Sequence, residues 1–389
     1  MIKGNKMTKK FGVQSTGLIA PIIREGDNLA KIVTETVLNS GIKIEDKDVI
    51  GITESVVARA QGNYVTIDEV AEDIKKVLGN RKSIVLRYPI YSRNRFAMIL
   101  KAFARAVEKT IYLIMPDIDD VGNKLHKHPF TDIDYDEYYK YIVEAEGKEC
   151  KIFNYDPQFS KYINRYHKNH PDEPYPPSVN CNFRDNMRQF SKYTLRDFCK
   201  DKCEWGLEGS NKASEEKLKL FPSRQYSDNT VNEIAWNIYK ETGKKVEVMV
   251  YGDGCFKDPV GGIWEFADPV TSPAYTHGLE GTPNELKLKN IADEKYANLN
   301  GKELEEAIKA DIQNKDNNLK GNMVSQGTTP RRYVDLLASL MDLTSGSGDK
   351  GTPIVYVKGY FNNYATETKN DSAVYDKVKE LLNPVSEKL

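Results

Sequence analysis

Apolar runs of strand length alternate along this chain with stretches whose apolar positions recur every three to four residues. That alternation restricts the chain to the α/β class. Residues 18–23 form the first short run, and Gly26, Asp27 and Asn28 then open a helix through Leu29, Ile32, Val33, Val37 and Leu38 that Gly41 stops. Residues 48–52 predict a buried strand, prolonged by 56–60 as far as Gly62. Helix 68–78 and strand 83–86 follow, then helix 96–107, strand 110–115 and strand 150–153. The second half predicts helix 229–242, strand 245–251 running into Gly252, Asp253 and Gly254, a charged helix 301–311, a one-sided apolar helix 331–343 and strand 353–357. The run PDEPYPP at 171–177 is the strongest break in the pattern and marks the expected domain junction. The segment 285–320, rich in Lys, Glu, Asp and Asn, reads as a solvated helical surface.

A length of 389 residues leaves room for about two domains. Lys and Arg number 56 against 57 Asp and Glu, so the chain lacks the basic excess needed to coat nucleic acid or an anionic membrane. No stretch reaches the roughly 18 apolar residues that cross a bilayer. The best, 96–115, is interrupted by Lys101, Arg105, Glu108 and Lys109. The basic start has no apolar signal segment, Met7 offers a second start, and a cytoplasmic chain is expected. The odd cysteine set (Cys150, Cys181, Cys199, Cys203 and Cys255) implies reduced thiols. Cys199 and Cys203 are spaced for one helix face, and His167 and His170 form an HxxH. Neither has a second pair at metal spacing, so ordinary thiols and solvated loop histidines are expected.

Three glycine-bearing turns could carry chemistry. At Gly252-Asp253-Gly254 an acid follows a buried strand, a rigid mount for Mg²⁺ or Mn²⁺ as well as a common plain turn. The run Ser345, Gly346, Ser347, Gly348, Asp349, Lys350, Gly351, Thr352 could turn backbone N–H groups toward an anion, with Lys350 adding charge. It leads into a strand rather than a helix, unlike the phosphate-loop motif, and by composition alone a flexible linker fits equally. In Gly206-Leu207-Glu208-Gly209-Ser210-Asn211, Glu208 and Asn211 could supply a metal ligand and a polar contact, although the composition is that of a surface turn.

Taken in order, these segments resemble the landmarks of the coenzyme F-420:glutamate ligase family. The stretch APIIREGDNLA at 20–30 is similar to its nucleotide-contacting LPxI(K/R)xGDxL, and DVIGITESVVARAQG at 48–62 to DVLVVAQKIVSKAEG. GLEGSN resembles GIDxSN, the 242–253 stretch resembles TGKxVxVxISDT, and GSGDKGTP at 346–353 resembles GQGDxGxP before a strand. The resemblance implies a mixed-sheet α/β ligase fold whose core is split between 1–66 and 206–389, around a longer inserted or divergent α/β region at 67–205. It implies a ligase that uses GTP (or ATP) and Mn²⁺ or Mg²⁺ to join glutamate to an unidentified carboxylate substrate through an acyl phosphate, in a homodimer.

Position by position, Pro21, Ile22, Ile23 and Arg24 would line the nucleotide. Glu54, Ser55 and Arg59 would stand where the family has Gln-Lys and a second Lys. Glu208 would replace the metal-binding Asp, with Asn211 on the nucleotide. The metal Asp-Thr falls on Gly252 and Asp253, so the ligand moves one residue to Asp253. Residues 345–352 would form the nucleotide loop, with Ser347 in place of a metal-associated Gln, and Glu208, Asp253 and Arg59 would carry the chemistry. Ser55 removes one phosphate-directed lysine, while Arg59 keeps the other charge as a planar fork. These departures leave two alternatives open: a related enzyme with another acid substrate or phosphoryl-transfer chemistry, and a non-catalytic nucleotide-binding homologue. Arg87, Arg93, Arg95, Arg105, Arg184 and Arg188 could meet an acidic substrate, or serve as ordinary surface arginines.

Overall fold

The computed structural model describes residues 12–88, 93–118, 124–127, 132–181, 191–253, 256–257, 264–265, 270–283, 286–315, 332–346 and 348–365. They fall into two compact units, one made of 1–60 with 224–389 and the other of 61–223. The breaks thus come at 60/61 and 223/224 rather than at 66 and 205, and segment 206–223 packs with the middle unit. The PDEPYPP run is no junction. It lies inside that unit, between a helix and a strand.

In the first unit, β1 (Gln14–Leu18), β2 (Val49–Thr53), β11 (Glu247–Asp253), β14 (Val270–Tyr275) and β15 (Ile354–Lys358) form one sheet in the order β1-β15-β2-β11-β14. β2 and β11 run parallel, with Tyr251 beside Thr53, and the other pairings are antiparallel. Side chains alternate between the faces. Ile50, Ile52, Val248, Val250, Ile354 and Tyr356 meet helices α1 (Leu29–Leu38) and α7 (Arg224–Thr242). Val49, Met249, Tyr251, Val355 and Val357 meet α10 (Tyr333–Ser345). Burial on both sides explains why these strands read as unbroken apolar runs. At Gly51 a Cβ would overlap Met341 Sδ and lie 3.1 Å from Tyr251 Cδ1, so glycine lets α10 lie directly on β2.

Two local expectations fail here. Residues 56–60 do not prolong β2; they belong to helix α2 (Glu54–Gln61), which buries Glu54, Val57, Ala58 and Ala60 and exposes Ser55 and Arg59. A strand would put Val57 and Arg59 on the same face, whereas the helical period buries Val57 and leaves Arg59 exposed. The first strand also comes earlier than run 18–23. β1 pairs with β15 alone, and as an edge strand it tolerates Gln14, Ser15 and Thr16, whereas Ile19 and Ile22 are exposed.

The middle unit holds β4 (Arg81–Arg87), β5 (Val107–Ile114), β6 (Glu149–Phe153), β7 (Ser178–Asn180) and β8 (Tyr193–Thr194) in a parallel sheet ordered β6-β5-β4-β7-β8. Numbered along the chain this is 3-2-1-4-5, the doubly wound order. Helices α3 (Ile67–Leu78), α4 (Arg93–Ala106) and α5 (Tyr135–Ala145) cover one face through Val70, Ile74, Phe103 and Val143. Helix α6 (Asp156–Asn169) covers the other, with Phe159 and Ile163 on Val85, Tyr112 and Phe153. A small antiparallel sheet, β3 (Tyr64–Thr66), β10 (Lys217–Leu220) and β9 (Ser210–Ser214), completes the unit.

The histidine pair sits on the end of α6 rather than in a solvated loop, His167 stacking on Tyr175 and His170 on Tyr166. The Pro-rich run is held against that helix, with the Tyr166 hydroxyl donating to Glu173 at 2.9 Å. Cys199 and Cys203 are buried, and burial pushes the Cys199 thiol up to about 12. Among the described residues, no helix is long and apolar enough to cross a membrane.

Glu247, at the start of β11, is buried and accepts from the Thr276 hydroxyl and the Gly278 N–H. Burial raises its pKa above the ordinary carboxylate value. The fold therefore holds this proton more tightly than the unfolded chain does, and the resulting stabilisation is present at low pH and lost as pH rises through the raised value. Glu247→Gln keeps the shape and an acceptor for Thr276. In chemical denaturation the variant should gain on the wild type as pH rises from the acid range to neutrality; a pH-independent difference would contradict this.

Candidate functional site

Strand pairing gathers the sequence motifs at one end of the first unit's sheet. The carboxyl ends of the parallel strands β2 and β11 bring Thr53, Glu54 and Ser55 beside Tyr251, Gly252 and Asp253. β15 runs antiparallel to β2, with Ile354 opposite Ile52, so the loop that precedes it arrives at the same end. β1 is antiparallel to β15, with Leu18 opposite Ile354, so 19–24 leave there too. Backbone hydrogen bonds seal the junctions: Ala20 N–H to Gly351 O at 3.1 Å, and Thr53 N–H to Pro353 O at 3.0 Å. A crevice outside the carboxyl ends of parallel strands is where open α/β sheets bind ligands.

Each segment has a local reason for its shape. Asp27 accepts from Arg24 N–H at 2.6 Å, Asn28 caps α1 through Lys31 N–H at 2.9 Å, and Gly26 N–H bonds Ala60 O at 2.9 Å. This turn ties 24–28 to the end of α2, the helix whose exposed face carries Ser55 and Arg59. Ile23 is buried as the anchor, leaving Pro21, Ile22 and Arg24 exposed.

The described residues of the loop after α10 are held by local hydrogen bonds and by two glycines at positive φ. Gly346 lies at φ 62° and ψ −149°, a region open essentially to glycine. The Ser345 hydroxyl donates to Asp342 O at 3.0 Å, and that of Thr352 to Ser345 O at 3.0 Å. Gly348, Asp349 and Lys350 make one exposed 3₁₀ turn, and Gly351 follows at φ 64°. The Lys350 stem folds back over Gly346, where a Cβ would meet its Nζ at 3.1 Å. Ser347 and the Asp253 side chain lie outside the described residues.

Sequence reasoning missed one contact of this end. Gly252 is buried against Glu54, itself 4% exposed; a Cβ at 252 would overlap Glu54 Cγ and lie 2.9 Å from its Cβ. No local pattern reports this contact, because it joins the ends of two strands distant in sequence. The donor chemistry of this end fits a polyphosphate with a divalent cation. Arg24, Arg59 and Lys350 are exposed cations, and Glu54, at the carboxyl end of β2, carries a hard carboxylate. Among the described residues, no group of three or more His, Cys, Asp or Glu side chains stands ready as a metal cage.

Glu208 and Asn211 belong to the middle unit and are not a surface turn. Residues Gly206–Gly209 form a buried 3₁₀ turn in which a Gly206 Cβ would meet Phe198 O at 2.5 Å. Glu208 is 6% exposed and accepts from Arg196 Nε at 3.0 Å, while Asn211 is half-buried in β9 opposite Lys219. The arginines of this unit are engaged as well. Arg87 pairs with Asp156 and bonds Ser178, and buried Arg95 donates to Ser210 O at 3.1 Å. Arg105 binds Glu146, Asp68 and Glu216. Arg184, Arg188 and the side chain of Arg93 lie outside the described residues.

Against known proteins, residues 17–359 match the family described as F420-0:Gamma-glutamyl ligase. A curated protein of Methanocaldococcus jannaschii, uncharacterized protein MJ1361, is 44% identical over 43 residues. That alignment covers 11% of this chain and 15% of the relative, so the chain spans only a small part of that protein's length.

Gly346→Ala tests the loop geometry. The variant should lose about 1–3 kcal/mol of stability in chemical denaturation, because a side chain is forced into that backbone region. An unchanged unfolding midpoint would contradict the assigned conformation.

Proposed function

The chain belongs to the F420-0:gamma-glutamyl ligase family, and from that premise we propose that it joins the amine of glutamate, or of another amino acid, to a carboxylate substrate. In this reading GTP or ATP activates the acid as an acyl phosphate with Mn²⁺ or Mg²⁺ bound. The observation that carries it is the convergence of 19–24, 54–59, 252–253 and 345–353 on the carboxyl ends of β2 and β11.

Catalysis of this kind rests on charge neutralisation and exclusion of water around the transferring phosphoryl group. Arg24 and Arg59 present guanidinium groups from two segments tied together by the Gly26–Ala60 hydrogen bond. Each can engage phosphate oxygens as a planar fork. The glycine-bearing loop brings backbone and the Lys350 ammonium to the same end, where a point charge suits a flexible polyphosphate. Pro21 and Ile22 offer exposed apolar surface for a base, held by the buried Ile23. A divalent cation, when bound, neutralises phosphate charge, and Asp253 at the end of β11 is the carboxylate assigned to hold it. Glu208 and Asn211 keep, as part of the proposal, the metal and nucleotide roles that the family pattern implies. A cytoplasmic homodimer is likewise part of the proposal.

Ser55, exposed where the family pattern has a lysine, favours a second reading in which the nucleotide chemistry is kept and the acid substrate differs. Nucleotide hydrolysis stimulated by glutamate plus an acid supports ligation. Hydrolysis indifferent to glutamate supports the second reading, and no nucleotide-induced thermal shift with Mn²⁺ would contradict both.

Arg59→Ala should weaken nucleotide binding about tenfold or more in calorimetric titration, the loss expected for a charge-assisted phosphate contact. The ligand-free unfolding temperature should hardly move, since Arg59 is exposed. Unaltered affinity would remove Arg59 from the site.

A further inference from the structure

We propose that the middle unit carries a transition-metal site of its own, in which His126 Nε2 and the Asp117 carboxylate bind one divalent ion while Asp136 orients the imidazole. The inference goes beyond the ligase reading and uses none of its residues. β5 ends at Ile114 and β6 at Phe153, so Asp117 and Asn154 lie just past the carboxyl ends of neighbouring parallel strands. That is the end at which doubly wound sheets bind ligands. Backbone hydrogen bonds fix the rest: Leu125 N–H donates to Asp117 O at 3.1 Å, and Tyr135 N–H to His126 O at 2.8 Å. His126 is thereby held against the first turn of α5, which carries Asp136.

Distances decide what the cluster can hold. His126 Nδ1 lies 2.7 Å from Asp136 Oδ1. A carboxylate only accepts, so Nδ1 donates, and Nε2 of the neutral ring keeps its lone pair. Nε2 is buried with no hydrogen-bond partner, and Asp117 Oδ1 stands 3.5 Å from it. Asn154 Nδ2 donates to that same oxygen at 3.0 Å and holds it in place. Two electron-pair donors thus face each other, and a cation belongs between them. A proton on Nε2 would draw the pair to the roughly 2.7–2.9 Å of a charge-assisted N–H···O bond. The observed gap is too long for that. It matches two ligands of one ion, since donors about 2.1 Å from a metal and about 110° apart lie about 3.4 Å from each other.

The donor set selects the metal. Imidazole with carboxylate suits Zn²⁺, Co²⁺ or Ni²⁺ better than Mg²⁺, which takes oxygen alone. A histidine that gives its other ring N–H to a carboxylate is the common companion of such an ion, because that bond fixes the tautomer and raises the basicity of the bound nitrogen. Among the described residues no third His, Cys, Asp or Glu joins the pair. Water therefore completes the shell, which leaves positions open to an incoming ligand.

The test is a Co²⁺ soak of crystals of the full chain, alongside calorimetric titration with Co²⁺. An anomalous peak should lie within bonding distance of both His126 Nε2 and Asp117. In the titration, His126→Gln should lose one binding event, whereas ions held elsewhere survive that substitution. Asp117→Asn should weaken the same event about tenfold or more, since affinity follows ligand charge. Asp136→Asn should weaken it about 10–100-fold although Asp136 does not touch the ion. The Asp117 side chain is 76% exposed, so the metal-free unfolding temperature of Asp117→Asn should stay near that of the wild type.

No anomalous peak at His126 at saturating Co²⁺ overturns the inference, and so does a wild-type titration in both His126→Gln and Asp117→Asn. Either result leaves an imidazolium paired with two carboxylates and no metal site. If His126→Gln fails to fold, Asp117→Asn still decides the matter. The ligase reading stands or falls separately, because an ion bound at the β2–β11 end is a distinct event that His126→Gln leaves in place.

Discussion

The parallel pairing of β2 with β11 is the constraint on which the candidate site depends. It puts two carboxyl ends side by side, and the antiparallel pairings of β15 with β2 and of β1 with β15 then fix which end of each remaining strand arrives there. Segments separated by hundreds of positions become neighbours through backbone hydrogen bonds alone. Burial on both faces, with α1 and α7 on one side and α10 on the other, makes a shift in strand register costly, because a one-residue slip would exchange the two apolar sets.

Much of this was legible in the sequence, for reasons that differ by element. Strands buried on both faces announce themselves as apolar runs, so 48–52, 110–115 and 353–357 fall on strands. Helices with a strong cap also show: Thr66 and Glu69 form a capping box at the start of α3. The edge strand β1 did not show, because an edge needs only one apolar side. Residues 56–60 fit a strand as well as a helix in sequence, because a short apolar stretch has the same composition in either state, and only its packing against the sheet decides. The PDEPYPP run resembled a linker, yet its tyrosine stacks on the end of α6 and its Glu173 bonds Tyr166.

The site was legible as a set of motifs but not as a constellation. Pro21, Arg24, Arg59 and the loop 345–352 belong to one end of one sheet, a fact of strand order that local pattern does not encode. The same holds for Gly252, whose missing side chain is accounted for by Glu54 lying in its space. Glycine, serine and asparagine give the segment around Glu208 the composition of a surface turn; the crowding around Gly206 buries Glu208 instead. The doubly wound order of the middle unit was equally hidden, since alternating strands and helices fix the class and leave the order of strands open.

The central claim is that the nucleotide binds at the carboxyl ends of β2 and β11. Hydrogen–deuterium exchange of the full chain, with and without GTP and Mn²⁺, tests it most directly, because ligand contacts slow the local opening of the backbone they touch. The account predicts protection in 19–28, 54–61 and 345–353. Protection confined to other segments, or none at saturating nucleotide, would contradict it.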